Sequence, residues 1–283
     1  MLRRTLGRTG EDISVLGFGG MVANKEDIAD VKQWVGEAVS RGINYFDVAP
    51  TYGNAEELLG PALMPYRGEV FLACKTQERT AEGATRQMKE SLAKLKTDRF
   101  DLYQLHGVTS NEDVEAILAP GGALEALVKA RDKGQARFLG VTAHSEEHAL
   151  ALLDAFEFDT VLFPLNWAAW SVNGFGCKLV ETAGAKGMGV LALKALAKGR
   201  TDTPREERRW PKCWYDPLDA PSLASLALRF TLNLPNVVAA VGPSHWELLE
   251  QAIETAEDPA PLTAVEEKKL LSMASSVAPI FPE

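Results

Sequence analysis

The sequence predicts an α/β protein: a (β/α)8 barrel of the TIM type, with an amino-terminal β-hairpin closing one end. Three observations carry this. First, eight short apolar runs recur along the chain, starting at residues 13, 43, 69, 100, 136, 159, 189 and 237. Most of the intervals lie near the roughly 30 residues that a strand, a crossover helix and two loops require. Second, the runs are apolar almost without interruption, as in Val70-Phe71-Leu72-Ala73-Cys74. Strands buried on both faces of a parallel sheet read this way. Third, apolar residues between the runs return at helical spacing. An open doubly wound sheet shares these features and is the alternative. Eight strand–helix alternations favour the closed barrel.

Taken in order, Leu2–Thr5 and Asp12–Ser14 flank Gly7-Arg8-Thr9-Gly10, a hairpin with glycine at its turn. It is expected to plug one end of the barrel. The first barrel strand is Ile13–Gly20. Val31, Trp34, Val35, Ala38 and Val39 then mark one buried face of a helix, and Gly42 stands where its C-cap belongs. Strands follow at Ile43–Ala49 and Glu69–Thr76, with Met88, Leu92 and Leu95 repeating the helical spacing after them. The next four strands are Phe100–His106, Ala136–Ala143, Asp159–Asn166 and Gly189–Leu196. The segment from Ala197 to Ala220 exceeds a routine loop and is rich in charge, proline and aromatics. It reads as a functional lid or as a surface excursion. Val237–Pro243 closes the set, ahead of a further helix. With no linker or low-complexity segment, residues 1–283 are expected to form a single domain.

Composition narrows the function classes. The chain has 283 residues, 46% of them hydrophobic and 24% charged, which is enough for a sizeable core. A net charge of -9 argues against a duplex-binding surface. No apolar run of about 18 residues suggests a membrane span. Met1 to Gly10 is polar, unlike a signal peptide. Cys74, Cys177 and Cys213 are scattered and form no paired motif. Neither a disulfide framework nor a structural zinc site is expected, and a reducing, cytoplasmic setting fits best. No metal, nucleic-acid or membrane partner is expected; the oligomeric state is not legible.

Four polar residues stand out by position. Asp47 lies near the end of the second strand and Tyr52 in the loop after it. Lys75 ends the third strand and His106 the fourth. The carboxyl ends of all strands in a parallel barrel share one face, where active sites sit. Each residue alone has a structural explanation: a solvent-reaching lysine, a helix-capping aspartate, a satisfied core histidine. Together they suit a chemistry. A tyrosine hydroxyl has a pKa near 10, and a nearby ammonium favours its phenolate. Lys75 supplies that charge, Asp47 holds Lys75, and His106 can donate to a carbonyl oxygen. This is proton delivery to an oxygen gaining negative charge, as carbonyl reduction demands. The electrons must then come from a cofactor.

In order and strand placement, Asp47, Tyr52, Lys75 and His106 resemble the catalytic tetrad of aldo-keto reductases. Arg4-Thr5-Leu6-Gly7-Arg8-Thr9-Gly10 and Val15-Leu16-Gly17-Phe18-Gly19-Gly20-Met21 are similar to that family's hairpin and first strand. Gly42-Ile43-Asn44-Tyr45-Phe46-Asp47-Val48-Ala49 with Tyr52-Gly53 is similar to its best-known signature. The resemblance runs from about residue 3 to about residue 255 and is looser after residue 142. It implies a barrel binding NADPH or NADH across the carboxyl-end mouth, with Tyr52 as proton donor and His106 orienting a small-molecule aldehyde or ketone. It implies cofactor contacts at Gly20, Met21 and Asp47.

The later motifs depart from the family. Thr142-Ala143-His144 replaces a Ser-Asn pair that holds the carboxamide. Leu162 replaces a glutamine, while Asn166 remains as a cofactor candidate. Leu193 followed by Lys194 replaces a ring that stacks on the nicotinamide, in a run similar to a Met-Lys-Pro-Leu subgroup. Gly242, Ser244 and His245 are the candidates for phosphate contact, since no Arg or Lys lies between Gly242 and Ala252. NADP(H) is therefore favoured by resemblance and NADH remains open. Two other classes compete: a cofactor-sensing regulatory or interaction protein on the same fold, which does not need the whole tetrad, and a metal-dependent hydrolase, which needs more strand-end histidines than the chain offers.

Overall fold

The computed structural model describes residues 1–281. The last two residues of the expected 1–283 domain lie outside the described residues. The chain begins with an antiparallel hairpin, β1 (Arg3–Thr5) and β2 (Asp12–Ser14). The barrel strands follow as β3 (Leu16–Gly19), β4 (Tyr45–Asp47), β5 (Phe71–Thr76), β6 (Phe100–Val108), β7 (Ala136–Ala143), β8 (Thr160–Pro164) and β9 (Gly189–Leu193). A short pair, β10 (Ala197–Gly199) and β11 (Asp216–Pro217), interrupts the set, and β12 (Val237–Val241) completes it. β3 to β9 and β12 form a closed, all-parallel barrel in which β12 pairs with β3. The (β/α)8 barrel expected from the spacing is the fold observed.

Helices α1 (Ile28–Ser40), α2 (Ala55–Leu63), α3 (Ala81–Lys94), α4 (Asn111–Leu118) and α5 (Ala123–Asp132) wrap the first half. The second half carries α6 (Glu146–Ala155), α7 (Trp167–Asn173), α8 (Cys177–Ala185), α9 (Pro221–Leu232), α10 (Trp246–Glu257) and α11 (Ala264–Ala274). Val31, Val35 and Ala38 of α1 are buried against the barrel, as their spacing requires. Gly42 follows α1 with φ 92°, a conformation that lacks the Cβ penalty only for glycine. Helices pack on the outside of the strands, and a second apolar cluster fills the barrel interior with Tyr45, Phe71, Leu102, Leu162 and Leu191.

The hairpin closes the amino end of the barrel. Leu6, fully buried, joins the interior cluster. Arg4 donates to the carbonyls of Leu232 and Val237 at 2.6 and 2.8 Å, and the Arg8 amide donates to Gly187 at 2.7 Å. At the opposite, carboxyl end of the strands a cavity opens into the barrel. No helix among the described residues is long and apolar enough to cross a membrane. The described residues contain no group of three or more His, Cys, Asp or Glu able to hold a metal ion.

Candidate active site

The barrel register brings the four polar residues together. Asp47 is the last residue of β4 and pairs with Ala73, two residues before Lys75 on β5. Lys75 pairs with Gln104 on β6, two residues before His106. The Lys75 ammonium donates to Asp47, and also to the Val48 carbonyl at 3.2 Å. The second Asp47 oxygen accepts from the Tyr45 hydroxyl at 3.2 Å and from the Gln104 amide at 3.3 Å. Lys75 is 1% exposed and Asp47 2%, so this ion pair is shielded from water. Tyr52, in the loop after β4, has its ring 5.3 Å from the Lys75 nitrogen and edge-on to His106 at 6.0 Å.

Burial raises the Tyr52 pKa, and so does the Asp47 charge; Lys75 opposes them without prevailing. The sequence-based expectation of a lowered phenol pKa is therefore corrected: the ammonium acts in the expected direction, but burial outweighs it. Tyr52 thus holds its proton at neutral pH. Burial works to lower the Lys75 pKa, but the nearby Asp47 charge and hydrogen bond, with Tyr52, turn the balance upward. Lys75 stays charged. His106 falls well below the ordinary imidazole value, first through burial and then through the charges of Lys75 and its neighbours. Its ring is neutral at pH 7, and its buried Nδ1 has no hydrogen-bond partner among the described residues.

All four line one cavity of about 510 Å³, within the size range of small-molecule and cofactor sites. Of the cofactor candidates, Gly20, Met21, Thr142, Leu193, Lys194, Gly242 and Ser244 line it as well. Thr142 accepts from the Gly107 amide at 2.8 Å, which leaves its own hydroxyl proton to donate. Two candidates lie elsewhere. Asn166 is buried as the N-cap of α7, its side-chain oxygen accepting from the amides of Ala168 and Ala169. His245 precedes α10, and its Nε2 accepts from the Lys212 amide at 3.0 Å.

Sequence reasoning passed over the partners of Asp47, the contact that His144 makes and the tether of the long segment. Tyr45 and Gln104 steady Asp47; a glutamine inside the apolar run Leu102-Tyr103-Gln104-Leu105 was the available signal. His144 lines the cavity with its Nε2 3.3 Å from the Lys194 nitrogen. The long segment is tied across the mouth: the Lys212 ammonium donates to the Val22 carbonyl at 2.8 Å and to Glu26 at 2.6 Å. It carries Trp214 and Tyr215 into the cavity wall, whereas Trp210 packs on His245. Trp167 is wholly buried and donates to the Ala197 carbonyl.

Comparison with known proteins agrees with this geometry. L-galactose dehydrogenase of Arabidopsis thaliana is 30% identical over 216 residues, 69% of this chain and 66% of that one. An uncharacterized oxidoreductase of Bacillus subtilis is 32% identical over 157 residues, 50% of this chain and 49% of its own. The chain thus spans about half and about two thirds of the lengths of these curated relatives. The holo form of an aldo-keto reductase from Bacillus halodurans superposes with a TM-score of 0.75 at 25% identity, covering 100% of both chains. The profile described as Aldo/keto reductase family matches residues 15–212. The chain belongs to the aldo/keto reductase family.

Proposed function

We propose that this protein reduces the carbonyl of a small aldehyde or ketone to an alcohol, with Tyr52 as the proton donor. The observation that carries the reading is the contact chain Asp47–Lys75–Tyr52–His106 on one cavity wall. A nicotinamide cofactor, held by the cavity residues named above, would supply the electron pair as hydride. Met21, Leu193 and Val241 give the cavity an apolar wall, while Thr142 and His144 offer polar groups for a carboxamide. That combination of apolar lining and few polar groups fits such a cofactor.

The protein's own steps follow from the electrostatics. His106, neutral, donates to the carbonyl oxygen and orients it. Tyr52, holding its proton because burial raises its pKa, gives that proton to the oxygen as negative charge develops there. Lys75 lies close enough to stabilise the phenolate that remains, and Asp47, fixed by Tyr45 and Gln104, keeps the ammonium in place. Such positioned proton transfer contributes about 10²- to 10⁴-fold.

Residues 197–220 are read as a lid, tethered through Lys212 to the loop after β3. Whether NADPH or NADH serves is addressed by titrating each against tryptophan fluorescence. The proposed setting is cytoplasmic, and residues 1–283 are taken as one barrel domain. A screen of cofactor oxidation over aldehydes and ketones tests the function. Turnover with at least one reactive aldehyde is expected; cofactor binding without oxidation across the whole panel would refute it.

A further inference from the structure

Lys194 lines the cavity without a role in the reaction proposed above. It follows β9 directly, and its backbone sits at φ 62°, in the left-handed region. For a residue with a Cβ that conformation is strained, and strain of this kind persists where surrounding structure holds a functional group in place. The half-buried side chain enters the same cavity wall as Tyr52 and His106. Its ammonium lies 3.3 Å from His144 Nε2 and 4.6 Å from the centre of the Phe281 ring. Phe281 in turn stacks on His144 at 5.6 Å.

The charges around it do not balance. Among the described residues Lys194 forms no ion pair, and Asp47 is the one carboxylate lining the cavity. Asp47 is already engaged by Lys75, Tyr45 and Gln104. His144 offers a lone pair without charge, since burial, then the Lys194 charge, hold its pKa at about 3. Beyond Lys194 an adjoining cavity of about 260 Å³ is lined by Arg200, Asp202, Trp214, Tyr215 and Phe281. Arg200 donates weakly to the Ile280 carbonyl at 3.4 Å, and no ion pair links it to Asp202. A cation held in a partly desolvated wall without a counter-charge is costly, and an anionic ligand relieves that cost. Lys194 lines the same cavity as Tyr52 and His106, so an anion held by it would lie within the space assigned to the substrate.

We propose that Lys194, held beside His144 and Phe281, is a specificity residue that selects carbonyl substrates bearing a carboxylate. This rests on the reductase reading above and names its substrate class. The carboxylate would receive a charge-assisted hydrogen bond from Lys194, with the aromatic walls of Trp214, Tyr215 and Phe281 flanking the body of the substrate.

The test compares 4-carboxybenzaldehyde with its methyl ester, which differ by the charge. The wild-type protein is expected to favour the acid in kcat/KM by about 10- to 100-fold, the worth of a charge-assisted hydrogen bond. Lys194→Met should erase that ratio and Lys194→Arg should restore much of it. Dissociation constants of NADPH and NADH are measured on all three proteins by fluorescence. An unchanged acid-to-ester ratio in Lys194→Met, with cofactor binding weakened instead, would place the anion on the cofactor diphosphate and overturn the proposal. Equal rates for acid and ester in the wild type would also overturn it, while leaving the reductase reading intact. Reduction of neither, nor of any other aldehyde, would overturn that reading and the substrate class with it.

Discussion

At the scale of single residues, the site is a set of ionisable groups whose environments push them toward different tasks. Tyr52 and His106 are held uncharged, while Lys75 is held charged by Asp47. A phenol raised above its ordinary value remains an acid throughout the neutral range. With an uncharged aldehyde, the reduction rate, as kcat/KM, should therefore stay level through neutral pH and fall only above about pH 10, the ordinary phenol value. A steep fall beginning near pH 8 would show that Tyr52 does not supply the proton. Lys194 gives a second pH signature. Burial lowers its pKa to about 8. Lys194 carries its charge below that value and loses it above, so the preference for carboxylate substrates should fade as pH rises past about 8. Asp47 carries a separate prediction about stability. Asp47→Ala leaves the Lys75 ammonium in the barrel with no carboxylate beside it, and removal of one partner of a buried pair costs about 3–5 kcal/mol. Urea unfolding reads this directly. A loss below about 1 kcal/mol would mean that the pair is far better hydrated than its geometry indicates.

Elements show what was legible in the sequence and what was not. The eight barrel strands could be read because burial on both faces leaves continuous apolar runs. Their ends could not. The expected strand Gly189–Leu196 stops at Leu193 because Lys194 turns to positive φ. The expected Ile13–Gly20 divides between the hairpin strand β2 and the barrel strand β3. The clustering of Asp47, Tyr52, Lys75 and His106 was legible because each lies near the carboxyl end of a strand or in the loop after one, although β5 runs one residue past Lys75 and β6 two past His106, and the parallel arrangement puts those ends on one face. The partners of Asp47 were not, since Gln104 meets Asp47 only through the register of three strands. Lys212 was not either: it reaches Val22 and Glu26 across some 190 positions of sequence, which no local pattern records. That contact makes a prediction. Lys212→Ala should release residues 200–219, seen as faster amide exchange there with the barrel strands unaffected. Unchanged protection would show that the segment is held by its other contacts. The hairpin makes the converse prediction. Gly7 has φ 51°, and a Cβ there would come within 2.3 Å of the Gly189 amide nitrogen. Gly7→Ala should cost about 1–3 kcal/mol in unfolding free energy while leaving kcat unchanged, because it lies at the sealed end of the barrel. A drop in kcat would couple that end to the mouth.

Considered as a whole, the molecule separates stability from chemistry along the barrel axis. The hairpin and the interior apolar cluster seal the amino end, and the carboxyl-end mouth collects charged and titratable groups from β4, β5, β6, β7 and β9. The protein carries a net charge of -9, yet its cavity holds a paired lysine, an unpaired lysine and two neutral histidines. Anionic ligands are therefore attracted locally by a protein that repels them overall, a contrast salt should weaken. What brings a phenol, an ammonium, a carboxylate and an imidazole together is strand register, and the function proposed depends on the phenol. The most direct measurement is turnover of Tyr52→Phe with a reactive aldehyde, alongside its cofactor affinity by fluorescence. Cofactor binding should persist while turnover falls by about 10²- to 10⁴-fold; turnover near the wild-type value would contradict the assignment of Tyr52 as proton donor.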